Sequence, residues 1–262
     1  MIAFGAARRA AAVVVLAGLA GACAARGPSR PAGTSAADPS ALTAFAAATA
    51  HCRPLRTATA EIALSGRVAG DRIRARLVAG FAAPASIRLE ALAPFGAPAL
   101  ILGSDGAVTT LLFPRDRQVL RDASVADVLD AITGLALDAA ALRDVLFGCL
   151  ALDASTGLAF ADGWQAVERG DVRVYLRDGA VVGADDRGWV VDYARAPEGG
   201  RVVRVRRTVP RGAIDLTATL TQTQTNVDLP AGAFAVAVPA DATPMTLDDL
   251  RAASPLAPTG GR

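Results

Sequence analysis

The chain has 262 residues, of which 52% are hydrophobic and 5% aromatic, and its 27 basic and 25 acidic side chains give a formal charge of +2. A chain this apolar can bury a core, which excludes an intrinsically disordered protein. The near balance of charges argues against a nucleic-acid partner, which normally shows as a clustered basic excess.

The sequence lacks or has few of the residues that several kinds of active site need. Zinc and haem sites usually need clustered histidine and cysteine, but the chain has one histidine, His51, and three cysteines. It has no lysine for a phosphate-binding loop and no G-x-S-x-G motif. We therefore expect no metal, no cofactor and no enzymatic activity; a periplasmic hydrolase is the weakest alternative.

Residues 1–22 are predicted to be an export signal. Arg8 and Arg9 precede an apolar run that is short for a transmembrane helix, and small residues lead to Cys23. The segment LAGAC is similar to a bacterial lipobox, although its leucine lies four rather than three residues before the cysteine. Lipidation of Cys23 would hold the protein at a membrane. Ordinary secretion and an uncleaved anchor are the alternatives.

The residues after Cys23 suggest a location and a tether. In lipoproteins generally, an aspartate directly after the lipidated cysteine marks retention in the inner membrane, so Ala24 indicates the outer membrane, facing the periplasm. Residues 23–37 are rich in Gly, Pro, Ser and Ala, which predicts a flexible tether. We expect one folded domain over residues 38–240 and a C-terminal tail over 241–262.

The periodicity of the mature chain predicts a helix followed by strands. Residues 39–53 show helical spacing, with Asp38 or Ser40 as the N-cap. Apolar residues then alternate with polar or small ones, and short turns between the runs indicate antiparallel neighbours. The predicted strands of this first half contain Ile62 and Leu64, Ile73 to Phe81, Ile87 to Ala91, Ala99 to Gly103, Val108 to Phe113, and Gln118 to Arg121.

Helical spacing returns in the middle of the chain. Ser124 and Asp138 are predicted N-caps of two short helices that end at Gly134 and Gly148. The strands that follow are Trp164 to Glu168, Val172 to Leu176, Ala180 to Ala184, Trp189 to Ala194, Val202 to Val209 and Ile214 to Thr225. So many antiparallel strands in series curl, because twist accumulates. The fold class predicted is mainly β (α+β), an incomplete antiparallel barrel or strongly curved sheet of about 11 strands with a helical lid.

Three segments resemble the family of the outer-membrane lipoprotein receptor LolB and its periplasmic carrier LolA. They are IRLEALAPFG at residues 87–96, the turn Asp105-Gly106, and LRDVLFG at residues 142–148. The resemblance implies a half-barrel lidded by helices, whose apolar cavity holds the acyl chains of a lipoprotein cargo. It also implies transfer from a LolA-like carrier into the outer membrane without a nucleotide.

If the resemblance holds, one apolar face lines the acyl-chain cavity. The alternative is a fully packed core, which is the common arrangement for aliphatic residues. The candidate lining residues are Ile62, Leu64, Ile73, Leu77, Phe81, Ile87, Leu89, Leu100, Leu102, Val128, Leu129, Ile132, Leu142, Val145 and Leu146.

Phe95 lies between two predicted strands in the turn Pro94-Phe95-Gly96. LolB-like proteins carry an exposed apolar residue on such a loop, which helps to insert cargo into the membrane, and Phe95 is the candidate for that role. The alternative is an ordinary turn whose ring folds back onto the core.

Cys52 and Cys149 are the pair left if Cys23 is lipidated, and they would enter an oxidising compartment. A disulfide between them would join the first helix to the end of the helical lid. The sequence leaves open whether they are bonded, because it does not give their geometry. His51 is interpreted as a solvated helix-end residue.

Charged residues cluster at a few other positions. Five arginines crowd one strand and its flanks and could meet anionic lipid head groups or an acidic carrier, although a solvated strand face is the commoner arrangement. Adjacent carboxylates at 185–186 and 248–249 are expected to stay hydrated. The five arginines are Arg201, Arg204, Arg206, Arg207 and Arg211.

Two functions are therefore weighed. The first is a monomeric, lipid-anchored lipoprotein that binds acyl chains and helps to receive and insert lipoproteins. The second is a structural or assembly lipoprotein of the cell envelope that has the same fold and a filled core.

Overall fold

The computed structural model describes residues 30–209 and 212–254, whose strands form one open sheet. In this part of the chain 15 strands lie in the spatial order β1-β8-β9-β10-β11-β12-β13-β14-β2-β3-β4-β5-β6-β7-β15. The strands are β1 Ala36–Ala37, β2 Thr57–Val68, β3 Asp71–Ala82, β4 Ser86–Leu92, β5 Leu100–Ser104, β6 Thr109–Phe113, β7 Gln118–Leu120, β8 Thr156–Ala159, β9 Trp164–Arg169, β10 Val172–Arg177, β11 Ala180–Asp186, β12 Trp189–Arg195, β13 Arg201–Val209, β14 Gly212–Thr225 and β15 Thr243–Met245.

Four α-helices are described: α1 Ser40–Ala48, α2 Val125–Thr133, α3 Ala139–Phe147 and α4 Leu247–Ala253. Short 3-10 turns lie at Ala50–Cys52 and Ala161–Gly163. Within the described ranges, none of the helices has the length and hydropathy needed to cross a bilayer.

The sheet is two antiparallel meanders joined where the long strands β14 and β2 pair. One meander runs from β2 to β7 and the other from β8 to β14, so most neighbours in space are neighbours in sequence. The predicted fold class, a mainly β, curved and unclosed antiparallel sheet with helices, is confirmed. The strand number is larger than the estimate of about 11: all twelve predicted strand segments are present, and the short strands β1, β8 and β15, which have no alternating run of their own, are added to them.

The two central helices begin and end where their capping residues predict. The Ser124 hydroxyl accepts a hydrogen bond from the Asp127 amide, and the Asp127 side chain completes a capping box. The Asp138 carboxylate accepts from the amide of Ala141 in the same way. Gly134 and Gly148 close the two helices in the left-handed conformation, at φ 74° and 69°.

The first helix is shorter than the continuous helix predicted over residues 39–53. It ends at Ala48, and Thr49 leaves the helical conformation at φ −99°, ψ 4°. The Thr49 hydroxyl donates to the Phe45 carbonyl at 2.8 Å and so satisfies the end of the helix. A separate 3-10 turn then carries Cys52.

The helices pack on one face of the sheet, which we call the concave face; the opposite face is the convex face. The main core joins concave residues of β2–β7 and β12–β14 to α2, α3 and α4, and Phe81, Ile87 and Leu102 are among its most buried side chains. A second cluster joins Ala41 and Phe45 of α1 to β9, β10 and β11. The helical layer therefore covers the sheet in two pieces.

The segment after β14 also belongs to the folded structure. Residues 243–245 form β15, which pairs in parallel with β7. Leu250 of α4 is buried in the main core, where α4 packs on α2. At the other end, Ala36 and Ala37 pair with β8 as β1. Residues expected in the tether and the tail thus contribute to the sheet and the core.

Candidate functional site

The residues predicted to line a cavity lie together on the concave face and are packed against one another. All of them belong to the main core except Ile73, which packs in a smaller cluster beside Val68 and Ile214. Eight are buried and seven are half-buried, and Phe81 meets Phe147 edge to face at 6.1 Å between ring centroids. These side chains therefore pack into the main core.

A cavity of about 620 Å³ lies on the other side of the concave face. Its roof is the α2–α3 linker, α3 and the segment after α3, and its floor is β10–β13. That volume is within the range of small-molecule sites. Val145 belongs to both the predicted lining and the observed one. The lining residues are Leu135, Ala136, Leu137, Ala141, Asp144, Val145, Leu150, Ala151, Leu152, Val172, Val174, Ala184, Asp186, Arg187, Trp189, Val191, Val205 and Arg207.

The cavity exists because small side chains on the floor face a thin roof. Val174, Ala184 and Val191 are buried, but valine and alanine project less far from the sheet than the Phe81, Ile87 and Leu102 side chains of β2–β7. Above them the roof is partly a linker, which Gly134 and the Asp138 cap hold between α2 and α3. An apolar void of this kind offers methylene groups a place out of water.

Two contacts hold α3 over the cavity. The buried Tyr193 hydroxyl on β12 donates to the Val145 carbonyl at 3.0 Å. Burial raises the pKa of Tyr193 well above its usual value, so the side chain stays a neutral donor. Cys52 and Cys149 are bonded to each other, which joins the 3-10 turn after α1 to the residue that follows Gly148.

The disulfide also bears on metal binding. His51, Cys52 and Cys149 bring one nitrogen and two sulfur atoms within 4.8 Å of one another. In the bonded state neither sulfur is a thiolate, which is the form that ligates a metal. The His51 ring is exposed and contacts the Ala48 carbonyl at 3.0 Å. These three residues therefore form a structural crosslink with a neighbouring imidazole.

Charged and aromatic side chains surround the opening of the cavity. The exposed Arg187 and the half-buried Asp186 form an ion pair at 2.9 Å. The Arg207 guanidinium lies 4.4 Å from the centre of the Trp189 ring. A ligand with an apolar chain and a polar head would place the chain under α3 and the head at this rim.

Phe95 is an exposed residue, with 87% of its surface accessible. Pro94 and Gly96 beside it are exposed too, and Gly96 has φ +76°, which the turn requires. The Arg115 guanidinium donates to the Phe95 carbonyl at 2.6 Å and supports the loop from the next turn of the sheet. The ring points away from the core, in contrast to the alternative that it folds back.

The arginines of β13 are engaged within the protein. Arg204 donates to both carboxylate oxygens of Asp215. Arg206 pairs with the buried Asp192. Arg201 lies 5.8 Å from the Tyr193 ring on the concave face, as Arg207 lies against Trp189. Arg211 and the lipidation candidate Cys23 lie outside the described residues.

The adjacent carboxylates at 185–186 and 248–249 make different contacts. Asp185 accepts hydrogen bonds from Arg30 and from the Tyr175 hydroxyl on the convex face. Asp249 closes a capping box with Thr246 at the start of α4, and the Thr246 hydroxyl and amide lower the pKa of Asp249. Asp186 and Asp248 are each paired with an arginine.

Comparison with known proteins yields structural likenesses alone. No protein-family model matches the chain, and no curated protein matches its sequence. The chain is similar to a DUF1329 family protein from Desulfovibrio piger, with a TM-score of 0.46, 11% identity, and coverage of 74% of this chain and 96% of that one.

Two further solved structures are similar to this chain. A LolA superfamily protein from Nitrosomonas europaea matches with a TM-score of 0.43, 11% identity, and 75% and 97% coverage. A domain described as an outer membrane lipoprotein-sorting protein, from Vibrio parahaemolyticus, matches with a TM-score of 0.36, 11% identity, and 75% and 96% coverage.

Proposed function

We propose that this protein is a non-enzymatic, lipid-anchored lipoprotein of the outer membrane that binds acyl chains in the cavity under α3. The observation that carries the proposal is the cavity of about 620 Å³ between α3 and the floor of β10–β13, whose lining is mainly apolar. Each methylene removed from water there stabilises a complex by about 0.8 kcal/mol. The proposal places the protein with LolA/LolB-like proteins, as the sequence resemblance implies.

The finer role is to receive lipoproteins from a periplasmic LolA-like carrier and to insert them into the outer membrane. Transfer of this kind needs no bond to break; it needs a cavity that holds an acyl chain less tightly than the membrane does. The proposed attachment is through Cys23, and the exposed ring of Phe95 would enter the bilayer during release.

The acyl-chain proposal is tested by filling the cavity. Ala141 lies on α3 and lines the cavity, so Ala141→Phe should reduce uptake of a fluorescent fatty acid at least tenfold. Ala140→Phe, one residue away and not part of the lining, is the matched control and should bind as the unmodified protein does. If the unmodified protein takes up no probe, the second candidate stands: an assembly lipoprotein with no cargo, supported by the packing of the predicted lining residues into the main core.

The insertion role of Phe95 has its own test. Phe95→Glu should change the free energy of unfolding by less than about 0.5 kcal/mol, because the ring is exposed. It should leave fatty-acid uptake intact and abolish transfer of a bound lipoprotein to liposomes. Val108, exposed at 62% on another turn, provides the control Val108→Glu. Transfer that is unchanged by Phe95→Glu would remove Phe95 from the mechanism.

A further inference from the structure

We propose that the convex face of β3 and β4 docks on anionic phospholipid. The contact consists of an arginine stripe, which we define as Arg72, Arg74 and Arg76, together with the exposed Leu92 and Phe95. The inference deepens the proposed function, on which it rests for the lipid anchor at Cys23. The inference identifies which surface of the protein contacts the membrane and which lipid charge that surface prefers.

The arginine stripe results from the alternation of side chains along a β-strand. Its three members alternate along β3 and therefore point to one face, opposite the concave Ala79 and Phe81. At about 6.8 Å between alternate residues, the stripe is about 14 Å long. All three side chains are exposed, and within residues 30–209 and 212–254 none of them forms an ion pair.

Apolar side chains lie at one end of the stripe. Leu92 of β4 pairs directly with Arg76 and has 46% of its surface exposed. Three residues further along the chain, Phe95 protrudes, and Arg115 is held beside it through the Phe95 carbonyl. A row of cations next to protruding apolar groups is the combination that binds the interface of an anionic membrane.

The carboxylates nearest to the stripe do not cancel its charge. Glu61 and Glu90 both lie opposite Val78, beyond the end of the stripe. Glu90 is already paired with Arg88. Three unpaired cations therefore face outward, and the one unpaired carboxylate on the flanking strands, Glu61, lies beyond their end, which favours an anionic surface as the partner.

The N-terminal end of the described chain is fixed on the same face. Arg30 donates to Asp185 and Asp192 at 2.8 Å each, and it lies 4.7 Å from the Tyr175 ring. It also donates to two backbone carbonyls of β11 and β12. Gly183 leaves the space that the guanidinium fills, because a Cβ there would lie 2.4 Å from it. The described chain thus begins on the convex face.

Arg30 lies close enough to the stripe for the lipid on Cys23 and the stripe to reach the same bilayer. Asp192 is connected to Arg74 by a cross-strand row through Arg204, Thr217 and Ser65. Four strand spacings make that row about 19 Å long. Six residues lie between Cys23 and Arg30, and the seven steps from one to the other allow a reach of about 25 Å. An acyl group on Cys23 and the stripe can therefore meet the same bilayer, while the cavity opens on the other face of the sheet.

The test is the partition of the full chain into vesicles. A Cys23→Ser background removes the acyl anchor, and vesicles of phosphatidylcholine with or without phosphatidylglycerol give the preference for anionic lipid as a ratio. Replacing the stripe by glutamine at all three positions should lower this ratio about a hundredfold, or about fivefold for each arginine. Added salt should lower the ratio of the unmodified stripe in the same direction.

The control is a second triple variant with the same loss of charge. Arg53, Arg195 and Arg251 are exposed and lie off the convex face, so their replacement by glutamine should leave the ratio within twofold. Equal losses in the two triple variants would overturn the proposal, as would an unchanged ratio. An unchanged ratio with lost delivery in cells would indicate an acidic protein partner instead. Fatty-acid uptake reports separately on the cavity, so its failure does not count against the stripe.

Discussion

The two halves of the concave face are built from the same kinds of side chain but are filled differently. Over β2–β7, bulky residues such as Phe81 and Ile87 are buried in the main core against the helices. Over β10–β13, valines and Ala184 meet a linker and one edge of α3, and a cavity of about 620 Å³ lies between the two layers. We expect the tightly packed side chains of the first half to carry more of the stability, and the cavity of the second half is the acyl-chain site proposed above.

The largest expected effect lies in the half over β2–β7. Phe81 is 1% exposed and packs against Phe147, so Phe81→Ala should lower the free energy of unfolding by about 3–5 kcal/mol. Leu135→Ala removes a partly exposed side chain beside the existing cavity and should cost less than about 2 kcal/mol. Urea unfolding measures both. Equal losses would mean that the two halves are packed to the same degree.

The disulfide joins the cluster around α1 to the main core, to which α3 belongs. Cys52 and Cys149 are 97 residues apart, and replacing both by serine should cost about 2–4 kcal/mol, chiefly because the unfolded chain gains freedom. Each of these two clusters should lose protection against hydrogen exchange at the helix that the bond holds. A loss confined to one cluster would show that the crosslink does not couple them.

A smaller effect is expected where α3 rests on β12. Tyr193→Phe deletes the hydrogen bond to the Val145 carbonyl and should cost about 1 kcal/mol. Because α3 roofs the cavity, fatty acid should enter and leave it faster, whereas the Phe81 region should be unaffected. Stopped-flow uptake of the fluorescent probe reports the rate. An unchanged rate would indicate that the roof does not move during entry.

The smallest effect concerns the convex side of the β13–β14 pair. The Arg204 guanidinium donates to Asp215 and lowers the pKa of that carboxyl below its usual 3.8. A lowered pKa stabilises the fold above the unfolded value, and this stabilisation is lost as the pH falls below about 4 through the folded pKa. Since both groups are partly exposed, the change should stay below about 1 kcal/mol, and Asp215→Asn should remove it.

Much of the fold could be predicted because its signals are local. Alternation predicts the long strands, and the turn at Ala69-Gly70 separates β2 from β3 where expected. The caps Ser124 and Asp138 and the glycines that end α2 and α3 mark the helices. Short strands such as β1 were missed, because two alanines carry no period and pair with β8 only through the fold.

The candidate site was only partly predictable. Helical and strand periods identify which side chains face inward. A cavity, however, depends on how the helical layer packs on the sheet. Here that packing depends on where the linker after Gly134 lies. The position of Arg30 could not be predicted either, since its partners Asp185 and Asp192 are more than 150 residues away. The family resemblance made Phe95 a candidate for an exposed residue, whereas its turn alone left open that the ring folds back onto the core; in the structure the ring is exposed.

The parallel pairing of β15 with β7 has a consequence for the order of folding. Gln118 pairs with Thr243, so the strand made in the first half of the chain waits for one of the last segments to be synthesised. Until then the edge of β7 and the surface that Leu250 covers are open to other chains. The half that is synthesised first is thus completed last, and premature termination near residue 240 should produce a chain that aggregates.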